Sequence, residues 1–94
     1  SSYRISRQAK RDLQRIYQYG FEQFGEAQVD SYFWGFFECF DKISDRPEYC
    51  PSVDHIRKGY RRCVYKADTI YFRVHSSRVE IMAILGGQSV DEWL

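Results

Sequence analysis

Apolar positions recur every three or four residues through two long stretches of the chain, then switch to every second residue. From Arg7 to Phe24, the residues Ala9, Leu13, Ile16, Tyr17, Gly20 and Phe24 fall on one helical face. Arg7, Arg11, Gln14, Arg15 and Gln18 fall on the opposite one. Ser6 stands where its hydroxyl can accept a bond from an early helical N–H. Gly25 follows as a C′ residue. A second helix is predicted over Glu26 to Asp45, with Val29, Phe33, Phe36, Phe40 and Ile43 as its stripe and Tyr32 and Phe37 beside it. Pro47 stops it, because the proline ring disfavours helical geometry at Arg46. The short link at Gly25 predicts an antiparallel helical hairpin.

After an irregular stretch from Pro47 to Ile56 the period becomes two. Tyr60–Lys66, Thr69–His75 and Val79–Leu85 read as strands, joined at Ala67-Asp68 and through Ser76-Ser77-Arg78. Ile70, Phe72 and Val74 alternate with Tyr71, Arg73 and His75. One sheet face therefore lies under the helices and the other stays polar. Tyr3-Arg4-Ile5-Ser6 reads as a short strand added to one edge of this meander, and Ser89 caps a final turn through Trp93. The expected fold is a single α+β domain over residues 1–94, in the order β-α-α-β-β-β. A helical hairpin packs on one face of a small twisted antiparallel sheet.

Composition narrows the function classes. Of 94 residues, 44% are hydrophobic and 18% aromatic, enough for one core and too many for a disordered chain. No apolar run approaches the roughly 20 residues that span a bilayer, and the N-terminus has no apolar signal-peptide region. A cytoplasmic location with no membrane partner is expected. The three cysteines, Cys39, Cys50 and Cys63, read as reduced thiols. His55 and His75 are too scattered for a zinc site. Neither GxGxxG nor GxxxxGK[ST] occurs, nor a GxSxG elbow, so no cofactor and no small-molecule substrate are expected.

The net charge is +1, but its distribution is uneven. Arg4 to Arg15 is basic, Glu22 to Asp54 is acidic, and Arg57, Lys58, Arg61, Arg62 and Lys66 form a second basic block without an acid. Arg57, Arg61 and Arg62 are candidates for meeting an acidic partner or a nucleic-acid backbone, a choice that charge alone leaves open. Arg61 and Arg62 point to opposite sheet faces, so only one joins the polar surface. Trp34 falls among Asp30, Glu38 and Asp41 on the polar side of the second helix, where a large aromatic suits an interface anchor. Trp93 is a second such candidate. On the polar sheet face, Arg73 could clamp a phosphate and His75 could move a proton, with Tyr71 beside them. That is the minimum for cleaving RNA by transesterification. His75 is the one group there whose reference pKa lies near neutrality. Cys63 and His75 on neighbouring strands would make a nucleophile pair, but nothing supplies an orienting third group.

The element order, with Tyr3-x-Ile5-Ser6-x-x-Ala9-x-x-Asp12-Leu13-x-x-Ile16-x-x-Tyr19, resembles the ParE branch of the RelE/ParE toxin superfamily. Phe24-Gly25-x-Ala27-Gln28, the aromatic-rich second helix, and Asp54-x-Ile56-Arg57-x-Gly59-Tyr60-Arg61 after Pro47 extend the likeness. So do Ile70-x-Phe72 and Ile81-x-x-Ile84-Leu85. The resemblance covers nearly the whole chain. It implies the toxin of a type II toxin–antitoxin pair, one that inhibits DNA gyrase by direct binding and is neutralised by a ParD-like antitoxin. RelE-like relatives instead cut mRNA on the ribosome with basic and tyrosine residues, and here Arg73, His75 and Tyr71 would serve. Residues 86–94 carry no Arg, Lys, His or Tyr, which departs from the RelE pattern. The expected protein is therefore a non-enzymatic inhibitor, with the endoribonuclease as the alternative.

Overall fold

The switch in hydrophobic period is also the boundary between the helical and the sheet halves. The computed structural model describes residues 2–86. The elements run β1 (Tyr3–Ile5), α1 (Arg7–Phe24), α2 (Glu26–Asp45), a 3-10 turn at Pro47–Tyr49, β2 (Tyr60–Tyr65), β3 (Asp68–His75) and β4 (Arg78–Leu85). Both helices match the expected bounds. Ser6 caps α1 through an Ala9 N–H bond to its hydroxyl at 3.1 Å. Gly25 joins the helices at φ 87°, a left-handed value that suits a residue without Cβ, while its N–H donates to the Phe21 carbonyl. The expected turn from Ser89 through Trp93 lies outside the described residues.

The strands form one sheet in the order β1-β4-β3-β2. β2, β3 and β4 are the expected antiparallel meander, but β1 joins β4 in parallel, so the sheet is mixed. The expectation of a wholly antiparallel sheet fails at β1, because hydrophobic alternation says which face a residue takes and is silent on strand direction. A bulge at Met82 interrupts the β3–β4 ladder, since Tyr71 pairs with Ala83 and Phe72 with Ile81. The β3–β4 turn is tighter than expected: Ser76 and Ser77 alone form it, at φ 52° and 62°.

Ala9, Leu13 and Ile16 of α1, Phe36, Phe40 and Ile43 of α2, and Ile70, Phe72, Val79, Ile81 and Ile84 of the sheet make one buried core. Gly20 lets α2 approach closely, since a Cβ there would sit 2.7 Å from Val29 Cγ2. Gly35 does the same for β2: an added Cβ would collide with the Tyr65 hydroxyl, which donates to the Tyr32 carbonyl at 2.9 Å.

The second sheet face departs from the expectation of a polar surface. Val53, Tyr60, Tyr71, Ala83 and Leu85 form a separate small core there, with Ile56 and Met82 against it. The stretch read as irregular folds back on the sheet. The Val53 N–H donates to the Tyr60 carbonyl at 2.8 Å and the Ile56 and Arg57 N–H groups to the Val53 carbonyl. Val53 and Ile56, in a stretch broken by Pro47 and Pro51, are too weak a periodic signal to announce this.

Candidate interaction surfaces

β1 is three residues long and β4 eight, so the edge of β4 outruns its strand partner. Side chains of the first α1 turns take over from it. The Ser6 hydroxyl donates to the Met82 carbonyl at 3.0 Å. One Asp12 oxygen accepts the Ile84 N–H at 2.9 Å, and Arg15 donates to the Ile84 carbonyl at 3.0 Å. Asp12 is buried, and its other oxygen accepts from Gln8 at 3.1 Å and lies 3.6 Å from Arg15. The row Ser6, Asp12, Arg15 thus continues the ladder, taking up the Met82 carbonyl and both backbone groups of Ile84. Arg15 was expected on the solvent side of α1. Its long side chain instead reaches back over the helix to the sheet.

The candidate basic residues separate. Arg61 points to the helical side and donates to the Cys50 carbonyl at 2.6 Å, so it holds a loop. Arg62 is exposed and shares the outer face with Tyr60 by strand alternation. Arg57 is exposed, with its guanidinium 5.5 Å from the centre of the Tyr60 ring. Arg73 faces Tyr60 across the β2–β3 ladder. Arg57, Arg62 and Arg73 thereby ring the outer core.

The three catalytic candidates share the outer face of β3 at every second residue, in different surroundings. Tyr71 is 4% exposed, beneath the loop. Arg73 donates to Glu80 at 2.8 Å, and that hydrogen bond, ahead of any other cause, holds the Glu80 carboxyl below the usual carboxylate range. His75 is exposed at the far end of β3, beside the Ser76-Ser77 turn. The Cys63–His75 pair is not formed. Cys63 is paired in register with Ile70, five residues before His75, or roughly 17 Å at strand rise.

Trp34 lies on the other side of the molecule and is 62% exposed. It meets the Phe33 ring edge-on, with centroids 6.0 Å apart, and lies 5.5 Å from Phe37. Phe33 in turn contacts Tyr17, which stacks on Phe21. An aromatic patch thus crosses both helices. Near the helix–helix link, a groove of about 680 Å³ opens between Tyr19, Phe24 and Tyr32, with Arg15, Lys66 and Asp68 at its polar end. The Tyr32 hydroxyl donates to Asp68 at 2.5 Å, and burial together with that bond raises its pKa well above the ordinary tyrosine value. Sequence reasoning missed this groove, because its walls come from α1, α2 and the β2–β3 turn. Trp93 lies outside the described residues. Among those residues no cluster of His, Cys, Asp or Glu could hold a metal ion, and no helix is long and apolar enough to cross a membrane.

A family model described as ParE toxin of type II toxin-antitoxin system, parDE, matches residues 3–90. The chain belongs to the ParE toxin family. It is 34% identical over 83 residues to Toxin ParE1 of Caulobacter vibrioides, covering 88% of this chain and 85% of that one. Its fold also matches the solved structure titled "Chromosomal ParDE TA system from P. aeruginosa", with a TM-score of 0.79 at 20% identity, over 93% of this chain and 96% of the other. Membership of a parDE system implies an antitoxin as partner. Within this ParE chain, the Ser6, Ala9, Asp12 and Leu13 positions that carry the resemblance have a structural task. Ala9 and Leu13 fill the core while Ser6 and Asp12 complete the β4 edge.

Proposed function

We propose that this ParE-family toxin acts in the cytoplasm as a non-enzymatic inhibitor that binds DNA gyrase directly, and that a ParD-like antitoxin silences it by covering the helical hairpin. The observation that carries the non-enzymatic reading is that Tyr71, Arg73 and His75 share the outer face of β3 but two of them are engaged: Tyr71 is buried and Arg73 is ion-paired with Glu80. Transesterification needs a base and a charge-stabilising group within hydrogen-bond reach of the same phosphate. The gyrase target rests on the likeness to ParE toxins.

Two surfaces on opposite sides suit two partners. The groove and the Trp34 patch present apolar and aromatic area suited to an amphipathic antitoxin helix. The outer sheet face, ringed by Arg57, Arg62 and Arg73, presents charge suited to gyrase bound to DNA. The test is plasmid supercoiling by purified gyrase, run beside ribosome-dependent mRNA cleavage. Supercoiling is expected to stop, with relief on adding the antitoxin, while mRNA stays intact. Cleavage that disappears in both His75→Ala and Arg73→Ala would establish the ribonuclease instead.

A further inference from the structure

Three thiols from distant parts of the chain meet at one place. Cys39 comes from α2, Cys50 follows the 3-10 turn, and Cys63 lies in β2; all are partly buried and pack against the main core. The backbone aligns two of them. Ser52 and Arg61 form an antiparallel bridge. The Val53 N–H donates to the Tyr60 carbonyl at 2.8 Å and the Arg62 N–H to the Pro51 carbonyl at 3.1 Å. These bonds flank Ser52 and Arg61, which makes them a non-hydrogen-bonded pair. Continued two residues outward, this register sets Cys50 opposite Cys63 at the next position of the same kind, past Pro51, which has no N–H to give. There the Cα atoms of antiparallel strands stand about 4.5 Å apart, within the range that a disulfide spans. The Arg61 guanidinium, on the Cys50 carbonyl at 2.6 Å, holds this residue against the strand.

Burial and then the adjoining Cys63 thiol, partly through a hydrogen bond, push the Cys50 thiol up to about 11. For Cys39, also raised by burial first, Cys63 acts through its charge. Of the two neighbouring thiols, Cys50 is the one within hydrogen-bond reach of Cys63, whose Sγ also donates to the Val64 carbonyl at 3.9 Å.

We propose that Cys50 and Cys63 are an oxidisable pair that closes into an intramolecular disulfide, pinning the 51–59 loop to β2. The oxidant is a small-molecule disulfide or a hydroperoxide. With a disulfide, a thiolate of the pair attacks one sulfur and releases one thiol. The second protein thiol then displaces the other, so two thiols become one S–S bond and the oxidant leaves as two thiols. With a hydroperoxide, a sulfenic acid forms first, and the second thiol displaces its oxygen as water. The loop so pinned carries Val53 and Ile56 of the outer core and the exposed Arg57. The bridge therefore fixes the outer face as well as the thiols. Closing a ring of about 15 residues removes unfolded-state entropy and raises stability.

The test uses the full chain, oxidised with glutathione disulfide and separately with hydrogen peroxide, then alkylated and digested without reductant. The expected product is a monomer about 2 Da lighter, with a Cys50–Cys63 linked peptide pair and an alkylated Cys39. Cys39→Ser should form the same link, and Cys50→Ser and Cys63→Ser should not. The thermal midpoint of the oxidised chain should rise by roughly 10 °C and return on reduction. A link through Cys39, an intermolecular dimer, or three thiols alkylated as fully as in the reduced control overturns the proposal. An unchanged or lower midpoint in the bridged chain overturns the pinning of the loop.

Discussion

Asp12 shows how much one side chain can decide. It is the one acid in a basic stretch, and a single acid on a helix reads as surface charge from sequence. The fold buries it because the Ile84 N–H needs an acceptor where β1 has ended. Asp12→Ala should therefore cost about 1–3 kcal/mol, the range for stranding a buried donor. Chemical denaturation checks the size, and faster exchange of the Ile84 amide checks the cause; an unchanged amide would point elsewhere. Tyr32 sets an alkaline limit. Its pKa is raised by burial first and then by the bond to Asp68, and Tyr65 and Tyr3 are also raised, mainly by burial. A folded value above the unfolded one, about 10, means that this stabilisation is complete below pH 10 and is lost as pH climbs through the folded values. Unfolding midpoints measured from pH 8 to 11 should fall at the upper end. Tyr32→Phe should flatten that fall, and an equally steep fall in the variant would remove Tyr32 from the explanation.

At the scale of elements, the helices were legible and the sheet only partly so. Ala9, Leu13 and Ile16, and Val29, Phe36, Phe40 and Ile43, all buried, sit where the period of 3.6 puts them. The strand segments were also placed to within a residue, because alternation is a local property. Three features were not: the direction of β1, the bulge at Met82 and the packing of the 51–59 loop. Each depends on which segment lies alongside, and no local period encodes that. The β3–β4 turn supports a direct test. Ser76 and Ser77 both have positive φ, the pattern of a type I′ turn, which favours Asn-Gly over Ser-Ser. Replacing them with Asn-Gly should stabilise the protein by about 1 kcal/mol with binding unchanged. A loss of stability would show that the serine side chains are needed there.

At the scale of the whole molecule, the sheet separates two surfaces that the sequence offered as one set of candidates. Trp34 stands on the helical side and Arg57 and Arg62 on the outer face, so their effects should separate as well. Trp34→Ala should weaken antitoxin binding about 10- to 100-fold, the range for losing an aromatic anchor, and leave gyrase inhibition intact. Arg57→Glu with Arg62→Glu should abolish gyrase inhibition and spare antitoxin affinity. Titration calorimetry and the supercoiling assay read the two effects, and loss of both in either variant would refute the division. The amino-acid sequence by itself determined the order of elements, the apolar face of each helix and the likeness to ParE, because these rest on local periodicity and on residue identity along the chain. Tertiary structure alone decided that Asp12 completes a sheet edge, that Tyr71 is covered while Trp34 is bare, and that three scattered thiols meet. Those outcomes depend on which distant backbone groups remain unpaired and which apolar surfaces remain uncovered after the elements have packed.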